Sequence, residues 1–306
     1  MKVLLATEKA FSSIAVALID KELADYQLIK LENYKSRQDL LRAVEDVDAA
    51  IVRSDKCDAE FFSHAKNLKI VVRAGAGVDT IDCEFAKSKG VVVMNTPGQN
   101  SNAVAELAFG MILSHIRSHF DGGMGTELRG KSLGLHGCGN VSKYMILIAK
   151  GFGMQVKAFD PFLSAEQIAA VGAEPASLEE VFKCDFVSLH IPLTPETKGS
   201  IGSRLLSLMP GNGVLINTAR QEVIAEEDLL GILKQRPDFG YLADVAPASH
   251  DSFKEGLAAR YSQQVLITPK KMGAQTHEAN NNCAPAAARQ IVAYFAHNDV
   301  RFQVNK

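Results

Sequence analysis

Short β-branched runs alternate with amphipathic stretches from the start of the chain. "KVLLAT", "YQLIKLE", "AAIVRS", "LKIVVRAG" and "GVVVMNT" are separated by helix-compatible segments such as "RQDLLRAVED" and "DAEFFSHAKN". That alternation predicts parallel sheets covered by helices, an α/β fold. The next stretch, "SNAVAELAFGMILSHIRSHF", is helical in spacing and apolar on most faces, and it begins at the cap candidates Ser101 and Asn102; the spacing predicts a buried connector. Beyond the glycine-rich "DGGMGTELRG" a second series begins with "KSLGLHG", "MQVKAFD", "CDFVSLHI", "GVLINTA", "FGYLADV" and "QVLITP", so a fresh sheet is expected there. The closing apolar helix, "NNCAPAAARQIVAYFAHNDV", has no new sheet to cover, which predicts that it packs back on the first domain. The expected organisation is a discontinuous domain, residues 1–97 with 279–306, around a second domain at 98–278.

Composition narrows the class. A chain of 306 residues with 47% hydrophobic content, net charge −2 and no low-complexity tract describes a soluble two-domain protein and argues against nucleic-acid coating. Five scattered cysteines (Cys57, Cys83, Cys138, Cys184, Cys283) suggest reduced thiols in a cytoplasm. The apolar start is too short for a signal peptide and no run approaches a membrane span. No His, Cys and carboxylate cluster has metal spacing, so no metal is expected.

The densest chemistry lies in "GKSLGLHGCGNVSKYMILIAKGFGMQVKAFDPF". Gly137, Gly139 and Ser142 stand in a G-x-G-x-x-G/A-like register directly after a strand and at a helix start. Gly137 permits the tight turn, Gly139 lets the backbone approach a pyrophosphate, and the helix N-terminus supplies unpaired N–H groups. Asp160, about 20 residues on, accepts from a ribose 2′-hydroxyl and repels a 2′-phosphate, which predicts NAD over NADP. Ser142 replaces the third glycine and should crowd helix against strand slightly.

With these residues stand "VRAGAGVDTID" (72–82), "NTPGQNSNAVAEL" (95–107), "HIPLTPETKGSI" (190–201), "MPGNGVLINTAR" (209–220) and "TPKKMGAQTHEA" (268–279). Several such blocks in this order resemble the D-isomer-specific 2-hydroxyacid dehydrogenases, and within them the short 3-phosphoglycerate dehydrogenases. The resemblance implies two Rossmann-like doubly wound parallel-sheet domains, an interdomain active-site cleft, a homodimer, and a chain without the C-terminal regulatory domains of longer relatives. It also implies a cofactor set in which Asn140, Val141, His190, Pro192, Thr218, Ala219 and Asp244 join the glycine loop. The family pattern puts a small carboxylate at the amides of Gly75, Ala76 and Gly77, and makes Arg220 the catalytic arginine, whose planar fork suits a carboxylate. Arg53 and Ser54 resemble a phosphate-contacting segment; Asn100 and Arg73 are further candidates. Together they favour a phosphorylated 2-hydroxy acid over lactate or glyoxylate.

The chain departs from the family at its acid–base pair. The usual glutamate after "D-V" falls near Ser249, beside His250 and Asp251, and the usual histidine of "T-P-H" becomes lysine. Counting from Thr268-Pro269 selects Lys270; counting back from Met272 to Thr276 selects Lys271, the preferred choice. One possibility is a silent NAD-binding or sensing module; another is a different D-2-hydroxyacid dehydrogenase or glyoxylate/hydroxypyruvate reductase. A third makes lysine the acid–base group, as in a branch of short 3-phosphoglycerate dehydrogenases. A lysine base needs its pKa lowered from ~10.4 toward ~8, about 3 kcal/mol of differential destabilisation. A glutamate partner would oppose that, whereas Arg220, the other lysine and the nicotinamide of NAD⁺ assist it. Loss of glutamate together with histidine is then a coherent paired change. Of the other histidines, His136 reads as a core side chain, His190 as a candidate for the cofactor cleft, and His250 as a remote substitute for the missing base.

Overall fold

The computed structural model describes residues 1–244 and 263–306. The backbone divides into two compact units, Met1–Ser101 with Gln275–Lys306, and Asn102–Ala274.

In the first unit, β1 (Lys2–Thr7), β2 (Gln27–Glu32), β3 (Ala49–Val52), β4 (Ile70–Arg73) and β5 (Val92–Asn95) form a parallel sheet in the order β2-β1-β3-β4-β5. Because side chains alternate across a strand, each strand feeds two cores. Val3, Leu5, Ala49, Ile51, Ile70 and Val72 face α1 (Ser13–Glu22) and the closing helix, His277–His297. Leu4, Ala6, Ala50, Val52, Val71 and Val93 face α2 (Arg37–Val44), α3 (Ala59–His64) and α4 (Cys83–Ser88). The closing helix starts where Thr276 accepts from Ala279 N at 3.1 Å, and its buried Ala284, Ala287 and Ala288 let it approach the sheet closely. The strand order reverses between β1 and β3, and open α/β sheets bind ligands outside the carboxyl ends at such a point.

The second unit opens with α5 (Ser101–Ile116), whose Ala105, Ala108, Phe109, Met111 and Ile112 are buried in its core. Seven parallel strands follow: β6 (Ser132–His136), β7 (Gln155–Phe159), β8 (Glu174–Pro175), β9 (Phe186–Leu189), β10 (Val214–Asn217), β11 (Gly240–Ala243) and β12 (Val265–Ile267). Their order is β12-β11-β10-β9-β6-β7-β8. The reversal here falls between β6 and β9. One face of this sheet packs on α5 and on α6 (Asn140–Gly151), while Val187, Leu189, Leu215 and Tyr241 serve the other. Both sheets are the helix-covered parallel kind that the alternating pattern predicts. The edge strand β8 escapes that pattern because two residues carry no periodicity. All five cysteine sulfurs are free, and among the described residues no helix is long and apolar enough to cross a membrane.

Candidate active site

The turn after β6 is built around a backbone that only glycine tolerates. Gly137 has φ +92°, and a Cβ there would lie 2.7 Å from the His190 carbonyl oxygen, the residue that follows β9. Gly137 N donates to Phe159 O (2.8 Å) and His190 N to His136 O (2.8 Å), so the turn is sewn to the strands on both sides. Gly139 caps α6 without a side-chain acceptor, and open space lies where its Cβ would be. The exposed first turn, including Asn140 and half-buried Val141, therefore keeps its N–H groups for an outside acceptor. The buried Ser142 hydroxyl donates to Gly137 O at 2.6 Å, so the side chain expected to crowd the turn also holds it. Asp160, just past β7, accepts from Cys138 N (2.8 Å) on one oxygen and Phe162 N (2.9 Å) on the other. Each oxygen retains lone-pair capacity for a ribose hydroxyl.

His190 is half-buried, with Nε2 3.0 Å from Ser188 Oγ, and burial, with a contribution from His136, pushes its pKa down to about 4. His136 lies in the core beside Phe159 and Phe182; burial pushes its pKa down to about 4 against the opposing pull of Asp160. Its Nδ1 has no hydrogen-bond partner, unlike a fully satisfied core histidine. Pro192 is exposed in the following loop, where its carbonyl accepts from Thr197 Oγ1 at 2.6 Å.

The turn after β10 carries Thr218, Ala219 and Arg220. Buried Asn217 closes it: Oδ1 accepts from Ala219 N (3.0 Å) and Nδ2 donates to Arg220 O (3.0 Å). Arg220 is half-buried and extended, and its Nη1 donates to Ala219 O at 2.9 Å. Thr218 Oγ1 is buried without a partner, a polar atom suited to a bound ligand. With the open cradle at Gly139 and the acceptor at Asp160, it fits a dinucleotide lying along the carboxyl ends of these strands.

Asp244 follows β11 and is 2% exposed. One oxygen accepts from Thr268 Oγ1 (2.9 Å) and Met272 N (2.8 Å), and the other from Gly273 N (2.8 Å). Lys270 and Lys271 sit exposed between those anchors, just after β12. The expected substitutes for the family glutamate, Ser249 with His250 and Asp251, lie outside the described residues.

In the first unit, the residues after β4 form a loop with engaged carbonyls. Gly75 O accepts from Thr96 N (3.0 Å), Ala76 O from Asn95 Nδ2 (2.5 Å) and Gly77 O from Arg73 Nη1 (2.6 Å). Gly75 N donates to Arg73 O (2.9 Å), so of the three amides expected to meet a carboxylate those of Ala76 and Gly77 are the candidate donors. Arg73 also donates from Nε to Arg53 O (2.9 Å), and a Cβ on Gly75 would strike its guanidinium at 2.7 Å. Arg73 is thus built into the loop floor. Arg53, after β3, is half-buried over the Phe11 ring (5.5 Å) and donates to Asn280 Oδ1, with exposed Ser54 beside it. Asn100 is half-buried in the turn before α5.

Sequence reasoning missed Asp55, 1% exposed, which accepts from Glu8 N (3.0 Å), Tyr34 Oη (2.7 Å) and Arg53 N (2.9 Å). It ties together the loops after β1, β2 and β3; burial, and then Asp55, push the Tyr34 phenol far above its ordinary range. Asn217 was missed too, although an Asn ending an apolar strand before a turn is a readable signal.

The family described as D-isomer specific 2-hydroxyacid dehydrogenase, NAD binding domain, matches residues 110–270. Among curated proteins, the D-3-phosphoglycerate dehydrogenase of Sus scrofa is 34% identical over 281 residues, 87% of this chain and 52% of that protein. The chain spans about half the length of the phosphoglycerate dehydrogenases it matches there. The glyoxylate reductase of Thermococcus litoralis is 33% identical over 83% of this chain and 82% of its own. Among solved structures, NAD⁺-bound 3-phosphoglycerate dehydrogenase from Entamoeba histolytica is 44% identical, covers 100% of this chain and 99% of its own, and superposes with a TM-score of 0.89.

Proposed function

This chain belongs to the D-isomer specific 2-hydroxyacid dehydrogenase family, and on that premise we propose that it oxidises D-3-phosphoglycerate to 3-phosphohydroxypyruvate with NAD, the opening reaction of phosphorylated serine synthesis. The observation that carries this is the row of carboxyl-end loops on the second sheet. The glycine turn, Asp160, Arg220 and the lysine pair follow β6, β7, β10 and β12. The choice of a phosphorylated substrate is supported by the Entamoeba histolytica relative and by Arg53 and Ser54 at the reversal point of the first sheet. A cytoplasmic homodimer is the accompanying expectation.

In this scheme the fork of Arg220 holds the substrate carboxylate and polarises the oxygen on C2. We assign the carboxylate's further donors to the amides of Ala76 and Gly77, the Gly75 amide being engaged with Arg73 O, and the phosphate to Arg53 with Ser54. Lys271, or Lys270 beside it, takes the proton of the 2-hydroxyl as neutral amine while the C–H electron pair leaves C2 and a ketone forms. Bound NAD supplies the hydride acceptor. In reverse, the protonated lysine donates to the keto oxygen. Lysine has no tautomer to fix, so the glutamate that serves a histidine base is dispensable.

The test mixes the protein with NADH and 3-phosphohydroxypyruvate, with glyoxylate in parallel, and follows NADH loss. Faster turnover of the phosphorylated substrate is expected. Turnover of glyoxylate alone would favour the second enzymatic possibility, which the Thermococcus litoralis relative supports. NADH binding without turnover of either substrate would sink the enzymatic proposal. Lys271→Ala or Lys270→Ala should lower kcat about 10²-fold, and wild-type rates in both would refute the lysine's role.

A further inference from the structure

We propose that Asn280 is a specificity-determining residue: its neutral side-chain oxygen aims the Arg53 guanidinium at a phosphate while leaving that charge intact. The inference rests on the phosphate role given to Arg53 above and names what holds the arginine ready for it.

Arg53 is held both at its backbone and at its fork. Its N–H donates to Asp55 Oδ2 (2.9 Å) and its carbonyl accepts from Arg73 Nε (2.9 Å), so the main chain is fixed on both sides. At the other end Nη2 donates to Asn280 Oδ1, Nη1 reaches Lys9 O at 3.5 Å, and the guanidinium carbon lies 5.5 Å from the centre of the Phe11 ring. Those partners are themselves anchored. Thr7 Oγ1 donates to Lys9 O (2.6 Å) and Phe11 N to Glu32 Oε1 (3.2 Å). Asn280 stands at the start of the closing helix, where its N–H donates to Thr276 O (3.2 Å). A long side chain placed in this way gives up little further rotamer freedom when an anion arrives.

The charge of its partners sets Arg53 apart. Arg37, Arg42, Arg204, Arg289 and Arg301 each lie against a carboxylate. Among the described residues Arg53 meets a carbonyl, an amide oxygen and a ring, all neutral. The carboxylate two residues away, Asp55, is turned instead to the N–H groups of Glu8 and Arg53 and to the Tyr34 hydroxyl. Neutral acceptors orient a guanidinium without cancelling its charge, and a fork of five N–H donors has capacity left for a phosphate. Stability alone would favour a carboxylate at position 280, which would gain from the helix dipole and add an ion pair with Arg53. Asparagine forgoes both, and the cation it aims is compensated when an anion binds.

Asn280→Asp keeps the size and the acceptor and adds the charge. It should melt at or above the wild-type temperature, yet raise the Kd of D-3-phosphoglycerate, read by calorimetry, about tenfold or more. D-glycerate, the same acid without the phosphate, should bind within about twofold of wild type. Asn280→Ala removes the aim but keeps the arginine's charge, so the Kd of D-3-phosphoglycerate should rise about three- to tenfold, less than in Asn280→Asp. In an Arg53→Gln background Asn280→Ala should add less than about twofold. A merely structural role predicts the reverse order, with alanine the more damaging and aspartate benign. That order, or an equal rise for D-glycerate, would overturn the inference alone, as would a wild-type Kd in both Asn280 variants beside a weakened Arg53→Gln. If D-3-phosphoglycerate binds the wild type no tighter than D-glycerate, or if Arg53→Gln leaves its Kd unchanged, the phosphate role of Arg53 falls and this inference falls with it.

Discussion

Gly137 and Gly139 stand two residues apart and should fail in different ways when replaced by alanine. At Gly137 the φ of +92° costs an L-residue about 1–3 kcal/mol, and the added Cβ would lie 2.7 Å from the His190 carbonyl oxygen, backbone that cannot swing aside. A net loss of about 3 kcal/mol follows, enough to lower Tm by several degrees. At Gly139, φ −84° and ψ −155° are accessible to alanine and the Cβ meets nothing within 4 Å. The fold then loses only the difference between Gly and Ala as an N-cap, about 0.5–1 kcal/mol. That methyl projects into the space a pyrophosphate needs, and losing one charge-assisted hydrogen bond of about 1.5–3 kcal/mol raises Kd by roughly ten- to a hundredfold. Thermal melts and NADH fluorescence titrations on both variants separate the two effects. Wild-type NADH affinity in Gly139→Ala, or a Gly137→Ala that melts at or above Gly139→Ala, would refute the assignment of conformation to one glycine and access to the other.

Two further outcomes follow from the geometry. Arg53→Gln should raise KM for 3-phosphohydroxypyruvate about tenfold or more, from the loss of a charge-assisted bond, while KM for glyoxylate stays within about twofold; an equal rise for both would remove Arg53 from phosphate recognition. Burial holds His115, His136 and His190 of the second unit to about 4, against about 6.5 in the unfolded chain. Between those values the unfolded state binds more protons, so stability is complete above about pH 6.5 and falls toward pH 4 at up to about 1.4 kcal/mol per pH unit per histidine. Urea midpoints at pH 7.5, 6 and 5 should decline, less steeply in His136→Gln, and a flat profile would contradict the burial argument.

Features written in adjacent residues were legible before the structure. The alternation of strand and helix, the glycine turn and Asp160 are local, since backbone geometry and the next strand in sequence suffice to define them. The order of the strands is not local, and neither is anything that depends on it. Asp55 looks like a loop carboxylate until β1 and β3 lie side by side and Glu8, Tyr34 and Arg53 converge on it. Asp244 has the same history: 24 residues separate it from Thr268, and only the pairing of β11 with β12 brings them together. Arg73 reads as a cation for substrate, yet two of its donors go to the backbone of its own neighbourhood. Composition does not reveal that kind of commitment.

The hydroxyl of Ser142 has one more consequence. A turn of backbone presents both signs of partial charge, and an anion near it is drawn by the amides and pushed by the carbonyls. By donating to Gly137 O at 2.6 Å, Ser142 takes up a lone pair from behind and offsets part of the negative charge the turn would otherwise present. The loop then behaves as a one-signed surface, attractive to phosphate over more of its approach. A glycine at position 142 would pack more lightly and leave that oxygen's charge uncompensated; here the residue that departs from the three-glycine pattern gives the turn its polarity.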